Sequence, residues 1–417
     1  MRCRVDKKIL KELHQKAFQY FMDYTNFNQD QKGFGLTVDA TNKIGVASIA
    51  ATGFMLSSLV IGAKDGYITH EEAYSKALNT LKTLCYHVPH RFGFFAHFLD
   101  IGTAERHHKT EFSTIDTALT LCGVLTVDAY FNDEEISAYT KLLFDRIEWH
   151  EFIFEKDGKT LLRMAYNPDK DGAYVTGKPG FIHQWDMFAE QLMIYFMIAG
   201  LIKDDELSMK LYQGFSRQVF SFNGKSFYGS PHNTLFVYHF PLAWLNLKDY
   251  VDSENISWFE NARLATQSHQ YSAILYQHEY LGFSTNLFGC NASDTPKGYR
   301  VFGSIPNTRN HMDTDGTISP FSLIGALPFM PDTIYQSILE MKKVENLEGP
   351  YGFYDAFNLG YNPPWVSSRY ISIDKGLELL MLDAYLNGHV YDAFMNHEII
   401  KKGLSILKFK NIFKEVK

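Results

Sequence analysis

Two carboxylates stand at a predicted helix start in residues 110–119. Ser113 has the residue type of a helix N-cap, and Asp116 follows three positions later, where the acidic partner of a capping-box-like start belongs. Glu111 precedes this start and therefore lies on the loop at the N-terminal end of the helix. Asp116 is explained most simply as a cap. We interpret Glu111 as one of a pair of catalytic carboxylates in a sugar-cleaving enzyme, which requires a second carboxylate and a cleft.

Glu190 is our candidate for that second carboxylate. It stands in a stretch predicted to be helical, between Phe188 and Leu192, so its carboxyl is either desolvated or opens into a cavity. Asp186 lies one helical turn earlier on the same face, and both desolvation and this like charge would raise the pKa of Glu190. A carboxyl that stays protonated near neutral pH suits a general acid acting on a glycosidic oxygen. The alternative is a structural glutamate paired with a lysine or arginine in the core.

Polar and aromatic residues in the loops predict contacts with a sugar. His97 stands between aromatic residues and is followed by Asp100, an arrangement that suits a sugar subsite. A histidine satisfied by the backbone is the equally simple alternative. Asp315 and Asp374 have the alternative role of helix caps. The further candidates for substrate contacts are Trp185, Asp294, Tyr299, Asp355, Phe357, Asn358 and Trp365.

The motifs for metals and cofactors are incomplete or missing. Asp313, Asp315 and Gly316 resemble the start of a calcium loop, but Ile324 occupies the twelfth position, where a bidentate glutamate belongs. The sequence has no His-Glu-x-x-His, paired-cysteine, Gly-x-Ser-x-Gly or dinucleotide-binding pattern. We therefore expect chemistry that needs no cofactor and no metal.

Composition excludes some partners. The formal net charge of −7 provides no basic footprint for nucleic acid, and the 46% hydrophobic and 21% charged residues are typical of a soluble globular protein. The apolar run 46–63 is rich in Gly, Ser and Thr, which favours a buried helix over a membrane span. The charged N-terminus lacks an apolar signal core. We expect a monomer that is cytoplasmic, or periplasmic or secreted if a leader was removed.

Helical segments of two kinds alternate along the chain. Helices that are apolar all round are buried, whereas helices with one polar face lie at the surface. About six inner–outer pairs predict a double ring of helices, an all-α (α/α)6 barrel. We assign residues 1–417 to one catalytic domain, with 1–32 as an extra N-terminal helix and lead-in loop. The apolar segments, each followed by an amphipathic one, are 46–61, 112–131, 185–200, 240–250, 317–327 and 373–387.

The loops that lead into the inner helices are long, whereas the connections from inner to outer helices are short. In a double ring the long loops share one rim, at the N-terminal ends of the inner helices, and function concentrates in such loops. We expect the cleft on this rim, together with strand-like pieces at 160–166 and 225–228. The long loops are 89–111, 151–184, 220–239, 280–316 and 345–372.

Several segments resemble the bacterial glycoamylase-like domain family, in order along nearly the whole chain. That family includes the β-1,2-glucanases of glycoside hydrolase family 144 and the chain-processing domain of cyclic β-1,2-glucan synthases. The resemblance implies an (α/α)6 barrel and catalytic carboxylates at Glu111 and Glu190. It also implies that Asp100, Tyr299, Asp315, Asp355, Phe357, Asn358 and Asp374 line the cleft. The segments that carry the resemblance are 47–54, 93–100, 111–119, 298–299, 315–318, 327–331, 351–358 and 373–376.

These observations together predict a glycoside hydrolase acting on β-glucan, with endo action on β-1,2-linked chains and with Glu190 as general acid. The sequence departs from the family at 104–106 and 386–391, so the subsite pattern is the less firmly predicted part. Alternatives are a non-catalytic glucan-binding protein on the same barrel, and a glucosidase or transglycosylase of other linkage specificity. A polysaccharide lyase or epimerase ranks lower, because the loops are mostly acidic rather than basic.

Overall fold

The computed structural model describes residues 5–170, 175–306 and 312–413. Its helices are α1 (Lys7–Asp23), α2 (Ile49–Asp65), α3 (His70–Tyr86), α4 (Thr114–Phe131), α5 (Glu134–Asp145), α6 (Trp149–Phe152), α7 (Leu192–Leu201), α8 (Asp205–Gly214), α9 (Phe236–His239), α10 (Trp258–Leu275), α11 (Pro320–Ile324), α12 (Pro331–Met341), α13 (Ser372–Leu386), α14 (His389–Asn396) and α15 (Glu398–Ile406). Two 3-10 turns, Val175–Gly177 and Pro241–Ala243, complete the helical elements.

The strands are short and sit in the loops. They are β1 (Thr37–Val38), β2 (Val46–Ser48), β3 (His90–Arg91), β4 (Phe94–Phe95), β5 (Phe98–Asp100), β6 (Phe112–Ser113), β7 (Ile153–Lys156), β8 (Lys159–Tyr166), β9 (Phe181–Trp185), β10 (Gln218–Phe222), β11 (Lys225–Gly229), β12 (Tyr250–Val251), β13 (Ala292–Ser293), β14 (Arg300–Val301), β15 (Gly303–Ser304), β16 (Met312–Asp313), β17 (Glu348–Gly349), β18 (Gly352–Phe353), β19 (Phe357–Asn358), β20 (Trp365–Val366) and β21 (Lys410–Asn411). The larger groups are antiparallel: β1-β2-β5, and β8 with β6, β7 and β9.

The inner helices α2 and α4 form the centre of the core and are apolar on nearly every side. Gly53 and Gly123 let their backbones touch, since a Cβ on Gly53 would lie 2.2 Å from the Leu119 carbonyl oxygen and one on Gly123 would lie 2.2 Å from the Gly53 oxygen. The Thr120 hydroxyl also donates to the Ile49 carbonyl across this contact, at 2.8 Å. The two helices are therefore held at a fixed separation and register.

The outer helices follow the predicted pattern of caps and one-sided burial. Helix α3 begins at His70 because the Thr69 hydroxyl accepts the Glu72 N–H at 3.1 Å, and Glu71 and Glu72 favour the positive end of the helix dipole. Helix α5 has Asp133 in the same capping role. These helices pack their apolar stripes on each other and on the inner ring.

The N-terminal helix packs against the core of the barrel. Helix α1 packs along α13 and also contacts α2. The C-terminal helices α14 and α15 instead pack against α2, α4 and α7. Glycines again permit the contact with α7, because Gly200 faces the Ile399 carbonyl and Gly403 faces the Phe196 carbonyl.

Three predicted inner helices are shorter than the apolar runs indicate. The run 185–200 begins as the end of β9, passes through a turn and becomes helical only at Leu192. The run 240–250 contains, as helix, only a 3-10 turn, Pro241–Ala243, that follows the single turn of α9, and the run 317–327 is helical only over α11 (Pro320–Ile324). In the run 185–200 the backbone binds a neighbouring segment, because β9 pairs with β8. Short apolar runs do not by themselves distinguish strand from helix.

Helix α4 is long and apolar enough to cross a bilayer by length and composition, and 67% of that stretch is buried inside the protein. The run 46–63 forms β2 and most of α2, and it is buried as predicted.

Candidate active site

The loop before α4 brings a histidine between two carboxylates. Ser113 caps α4, as predicted, with its hydroxyl accepting the Asp116 N–H at 3.2 Å. The Asp116 carboxylate does not complete a capping box. Its Oδ1 lies 3.4 Å from His97 Nε2, while His97 Nδ1 lies 2.8 Å from Glu111 Oε1. Asp116 therefore belongs to the site as well as to the helix start.

Backbone hydrogen bonds fix His97 between two inner helices. Its N–H donates to the Glu111 carbonyl at 3.0 Å, and its carbonyl accepts the Ile49 N–H, the first of α2, at 3.0 Å. His97 thereby satisfies one of the free N–H groups at the start of α2. The same residue that contacts both carboxylates also ties the loop before α4 to the start of α2.

The charges in this cluster are set by mutual contact. Burial by itself lowers the pKa of His97, but the Asp116 and Glu111 carboxylates outweigh it and raise that pKa to about 9. The hydrogen bond from His97 lowers the pKa of Glu111 to about 2 against the opposing effect of burial. At neutral pH His97 is therefore a cation and Glu111 a carboxylate. The three side chains are also close enough together to hold a metal ion.

Glu190 lies in the turn between β9 and α7, not inside a helix as predicted. The turn is held by the Phe188 N–H donating to the Ser216 carbonyl at 3.1 Å and the Ser216 N–H donating to the Asp186 carbonyl at 2.8 Å. Burial raises the pKa of Glu190 to about 7, and the charge of Asp116 contributes in the same direction. The predicted protonated carboxyl is present, but its acidic neighbour is Asp116 rather than Asp186.

A second acidic cluster surrounds the start of α13. Asp355 and Asp374 are 5% and 4% exposed and share a hydrogen bond. Burial raises the pKa of Asp355 to about 6, and burial together with the charge of Asp355 raises the pKa of Asp374 well above its usual range. Asp374 is therefore the protonated member and donates to Asp355, which also accepts the Asp294 N–H at 2.7 Å.

Arg369 neutralises Asp294 rather than this acid pair. Its Nη2 lies 2.6 Å from Asp294 Oδ1 and its Nε 2.9 Å from Oδ2, which is the bidentate geometry of a strong guanidinium–carboxylate pair. Ser367 donates to the same carboxylate at 2.8 Å, and Arg369 also reaches Asn42 at 3.3 Å. The loops that carry Asn42, Asp294 and Arg369 are thus joined beside Asp355.

Asp39 connects the two clusters, although we did not select it from the sequence. Its charge contributes to raising the pKa values of His97, Asp374 and Tyr299, which places it within electrostatic reach of both groups. Asp39 precedes α2 much as Glu111 precedes α4, and its carbonyl accepts the Ser372 N–H at 3.0 Å. An acidic residue in the loop before an inner helix is the signal that would have identified it.

Tyr299 and Asp374 line a small apolar hollow of about 40 Å³ at the end of the acid pair. Tyr299 is 50% exposed, and burial of its hydroxyl raises the pKa, with the charges of Asp374 and Asp355 adding to this. Its other walls were not predicted as site residues: Phe236, Phe240, Ala292, Phe321 and Ile373. A ring face beside buried acids is a suitable surface for a pyranose.

Two predicted sugar contacts are corrected by their burial. Phe357 is 0% exposed, and Trp185 is 4% exposed with its indole N–H donating to Thr114 Oγ1 at 3.1 Å. Neither ring has a face for a substrate. Trp185 instead connects β9, and hence the turn of Glu190, to the start of α4.

The remaining predicted residues organise loops. Asn358 donates to the Asp315 carbonyl at 3.0 Å and is 1% exposed, and the Asp315 carboxylate accepts the Thr317 N–H. Asp100 accepts the N–H groups of Gly102 and Thr103, at 3.0 and 2.8 Å. Trp365 is half-buried in β20. Their roles in binding substrate stay predictions.

A double ring of helices with acidic side chains gathered on its loop rim makes this chain an (α/α)6-barrel protein. The chain belongs to the Glycoamylase family, described as "Putative glucoamylase", whose model matches residues 182–398. This confirms the family resemblance found in the sequence.

Relatives of known structure cover almost the whole chain. A Bacteroides uniformis protein described as a glucoamylase superposes with a TM-score of 0.83 at 21% identity, with 99% of each chain covered. The endo-β-1,2-glucanase of Chitinophaga pinensis superposes with a TM-score of 0.81 at 21% identity, over 97% of this chain and 98% of that one. These likenesses confirm the predicted (α/α)6 fold.

A curated relative is the exo β-1,2-glucooligosaccharide sophorohydrolase (non-reducing end) of Parabacteroides distasonis. It is 24% identical to this chain over 438 aligned positions, which cover 96% of this chain. The chain spans 57% of the length of that relative.

Proposed function

We propose that this protein is a glycoside hydrolase that cleaves β-1,2-glucan, with Glu190 as its general acid. The observation that carries the proposal is a pair of carboxyl groups in opposite protonation states at one rim. Glu190 has its pKa raised to about 7, beside a cluster in which the pKa of Glu111 is lowered to about 2. Paired carboxyls whose pKa values are pushed apart are the requirement for acid-assisted cleavage of a glycosidic bond.

Glu190 would donate its proton to the leaving oxygen as the glycosidic bond breaks. His97 holds the pKa of Glu111 at about 2. Glu111 is therefore ionised over the whole range between about pH 2 and pH 7 in which Glu190 remains protonated. It can stabilise positive charge at the anomeric carbon or attack that carbon, whereas such a low pKa makes a weak proton acceptor. Asp116, which contacts the same histidine, is the second carboxylate available to activate a water molecule.

The stereochemical outcome depends on how far the ionised carboxylate lies from Glu190. Separations of roughly 6.5–9.5 Å leave room for a water molecule and give inversion, whereas roughly 5–5.5 Å gives retention. We propose inversion, with Asp116 as the base that activates the water molecule and Glu111 as an ionised carboxylate beside it. Proton NMR of the first product formed from β-1,2-glucan distinguishes the two, since inversion releases the α-anomer and retention the β-anomer.

The linkage is proposed from the relatives, two of which are named for action on β-1,2-linked glucans. We propose endo action, as the resemblance implies. Incubation with linear β-1,2-, β-1,3-, β-1,4- and α-1,4-glucans tests this, with products separated by chromatography. Endo action yields a ladder of oligosaccharides from the β-1,2-glucan. Release of disaccharide alone from the start would show exo action, and no product from any glucan would favour a binding protein.

A further inference from the structure

The first residue of α13 binds two consecutive carbonyl groups of the segment before α2. The Ser372 N–H donates to the Asp39 carbonyl at 3.0 Å, and the Ser372 hydroxyl donates to the Val38 carbonyl. Ser372 is 0% exposed and Val38 is 2% exposed, so this contact is shielded from water. We call the two hydrogen bonds from Ser372 the serine clamp. The serine clamp fixes the backbone at Asp39, the residue that connects the two acidic clusters of the rim.

A tyrosine of α1 supports the serine clamp. The Tyr20 hydroxyl lies 2.6 Å from Ser372 Oγ, and Tyr20 is 0% exposed. Because the Val38 carbonyl can only accept, it takes the proton of the Ser372 hydroxyl, and Tyr20 is therefore the donor to Ser372 Oγ. Burial, together with the charges of Asp39 and Asp374, raises the pKa of Tyr20, so its hydroxyl keeps the proton that it donates. The hydrogen bonds run from α1 through the start of α13 to the segment before α2.

Backbone contacts extend the serine clamp along the same two segments. The Thr41 N–H donates to the Tyr370 carbonyl at 3.0 Å, and the Tyr370 N–H donates to Thr41 Oγ1 at 3.1 Å. Between these contacts and the serine clamp, Ala40 pairs with Ile371 as an antiparallel bridge. The backbone on both sides of Asp39 is therefore held against the residues that lead into α13.

The serine clamp brings Asp39 close to Asp374 and leaves the Asp39 carboxylate accessible. Asp374 stands two residues after Ser372, in the first turn of α13, and is 4% exposed. The side chain of Asp39 is 21% exposed, and its charge acts on both Asp374 and His97. Asp39 therefore lies within electrostatic reach of both acidic clusters and is open to a ligand. A carboxylate in this position is suited to accept hydrogen bonds from sugar hydroxyls.

We propose that Ser372 and Tyr20 are positioning residues for the reaction of the rim, and that they hold the Asp39 carboxylate where it binds a hydroxyl of the sugar. The inference rests on the glucan hydrolysis proposed for the rim, and it adds Asp39 to the residues that contact the substrate. Ser372 and Tyr20 act only through Asp39, because both are buried. A displacement of about 1 Å in a group that orients the substrate lowers the rate about 100-fold, so the serine clamp has a measurable effect.

The test is a double-mutant cycle between Tyr20 and Asp39. Tyr20→Phe removes only the hydroxyl and keeps the ring, which packs against Tyr24 and Tyr351 with centroid separations of 5.0 and 5.7 Å. We expect kcat/KM on β-1,2-glucan to fall about fivefold in Tyr20→Phe and about 100-fold in Asp39→Ala. The double variant should equal Asp39→Ala, because Tyr20 has no further effect once the carboxylate that it positions is absent. Effects that arise only from the fold would multiply instead.

Tyr391→Phe is the matched control for Tyr20→Phe. Tyr391 is 8% exposed and donates its hydroxyl to the Leu242 carbonyl at 2.6 Å. The control variant loses the same kind of buried hydrogen bond, so its melting temperature should fall about as much as that of Tyr20→Phe, whereas kcat/KM should stay unchanged. Rates are compared at a temperature at which thermal melts show every variant to be folded.

Ser372→Ala gives a second measurement, because it removes the hydroxyl of the serine clamp itself. We expect kcat/KM to fall about 10–100-fold. Ser58→Ala is its control, since Ser58 is 0% exposed and donates to the Met55 carbonyl at 2.6 Å within α2.

Three results would overturn the positioning role and leave the hydrolysis proposed for the rim intact. These are equal kcat/KM in Tyr20→Phe and Tyr391→Phe, a further fivefold loss when Tyr20→Phe is added to Asp39→Ala, and full activity in Asp39→Ala. No hydrolysis of any glucan by the unaltered protein would refute the proposed function and this inference with it. The two failures are therefore distinguishable.

Discussion

The two acidic clusters of the rim reduce the repulsion between neighbouring carboxyl groups in different ways. In the cluster before α4, His97 stands between Glu111 and Asp116 and compensates their charges, so that Glu111 is ionised. In the cluster at α13, Arg369 is taken up by Asp294, and Asp355 and Asp374 are left to share a proton. Whether a cation stands between two carboxyls or beside them decides which of them can accept a proton. The first cluster is suited to stabilising positive charge, and the second to donating hydrogen bonds to hydroxyls.

The largest effect on kcat should follow from replacing Glu190, whose carboxyl carries a dissociable proton beside the first cluster. Glu190→Gln is expected to lower kcat by about 10²–10⁴-fold, the range typical of a lost general acid, without loss of the fold. Initial rates and a thermal melt measure the two. Asp186→Asn is the matched control, since Asp186 lies four residues earlier in the same segment but Glu190 responds to Asp116 instead. Full activity in Glu190→Gln would refute its assignment.

The second-largest effect on kcat should follow from removing the cation of the first cluster, His97. His97→Gln removes the charge that holds the pKa of Glu111 near 2. That pKa should then rise toward its ordinary value, because burial is no longer opposed. We expect kcat to fall about 10–100-fold and activity to be lost below about pH 4–5, where the unaltered enzyme retains an ionised Glu111. A pH–rate profile with an unchanged acidic limb would show that His97 does not control this carboxylate.

The pH dependence of the unaltered enzyme gives a milder test. Because Glu190 must carry a proton and its pKa is about 7, kcat should be constant below that value and fall tenfold per unit well above it. Glu111, with a pKa of about 2, should not shape the profile above pH 4. Rates measured between pH 4 and 9 on a soluble oligosaccharide check both statements. Activity that still increases above pH 8 would exclude Glu190 as the acid.

The second cluster should be visible in stability rather than in rate. The pKa of Asp355 is about 6 in the folded protein, whereas the ordinary value for this group is 3.8. The folded state therefore binds the proton more tightly than the unfolded state. The free energy of unfolding should therefore be greatest below about pH 4 and decrease, by about 3 kcal/mol, as the pH rises from there through about 6. In Asp374→Asn the second titrating acid of the pair is removed, so the total decrease should become smaller, whereas the part caused by burial of Asp355 should remain. Denaturant titrations at several pH values give the free energy of unfolding of both proteins. An identical change with pH in the two proteins would contradict the shared proton.

Local signals in the sequence predicted the elements whose caps and burial agree. The start of helix α3 is marked locally in the sequence, because Thr69 is its cap and Glu71 and Glu72 stand in its first turn. The turn of Glu190 was missed because residues 181–185 are held as a strand by β8, whose pairing is set by distant residues. Periodicity within a short apolar run carries no information about such a partner.

Only part of the site could be predicted, because some of its features are local in the sequence and others depend on distant residues. The two carboxyls, and the raised pKa of Glu190, follow from residue type and local burial. The identity of the charge acting on Glu190, the position of Asp39 and the burial of Phe357 depend on which loops meet in space. Arg369 is visible in the sequence as a basic residue in an acidic loop, but nothing local shows that it pairs with Asp294, 75 residues earlier.

The contact between Gly53 and Gly123 has a consequence for anyone who alters this protein. Both residues are buried between the two helices, so neither touches a substrate. Yet α2 begins at the residue whose N–H is bound by His97, and α4 begins beside Glu111. A methyl group at either glycine would push these helices apart and lengthen the contacts of His97 with Glu111 and Asp116. Two positions without a side chain thus act as the spacer of the catalytic cluster, and substitutions intended to change the cleft should leave them untouched.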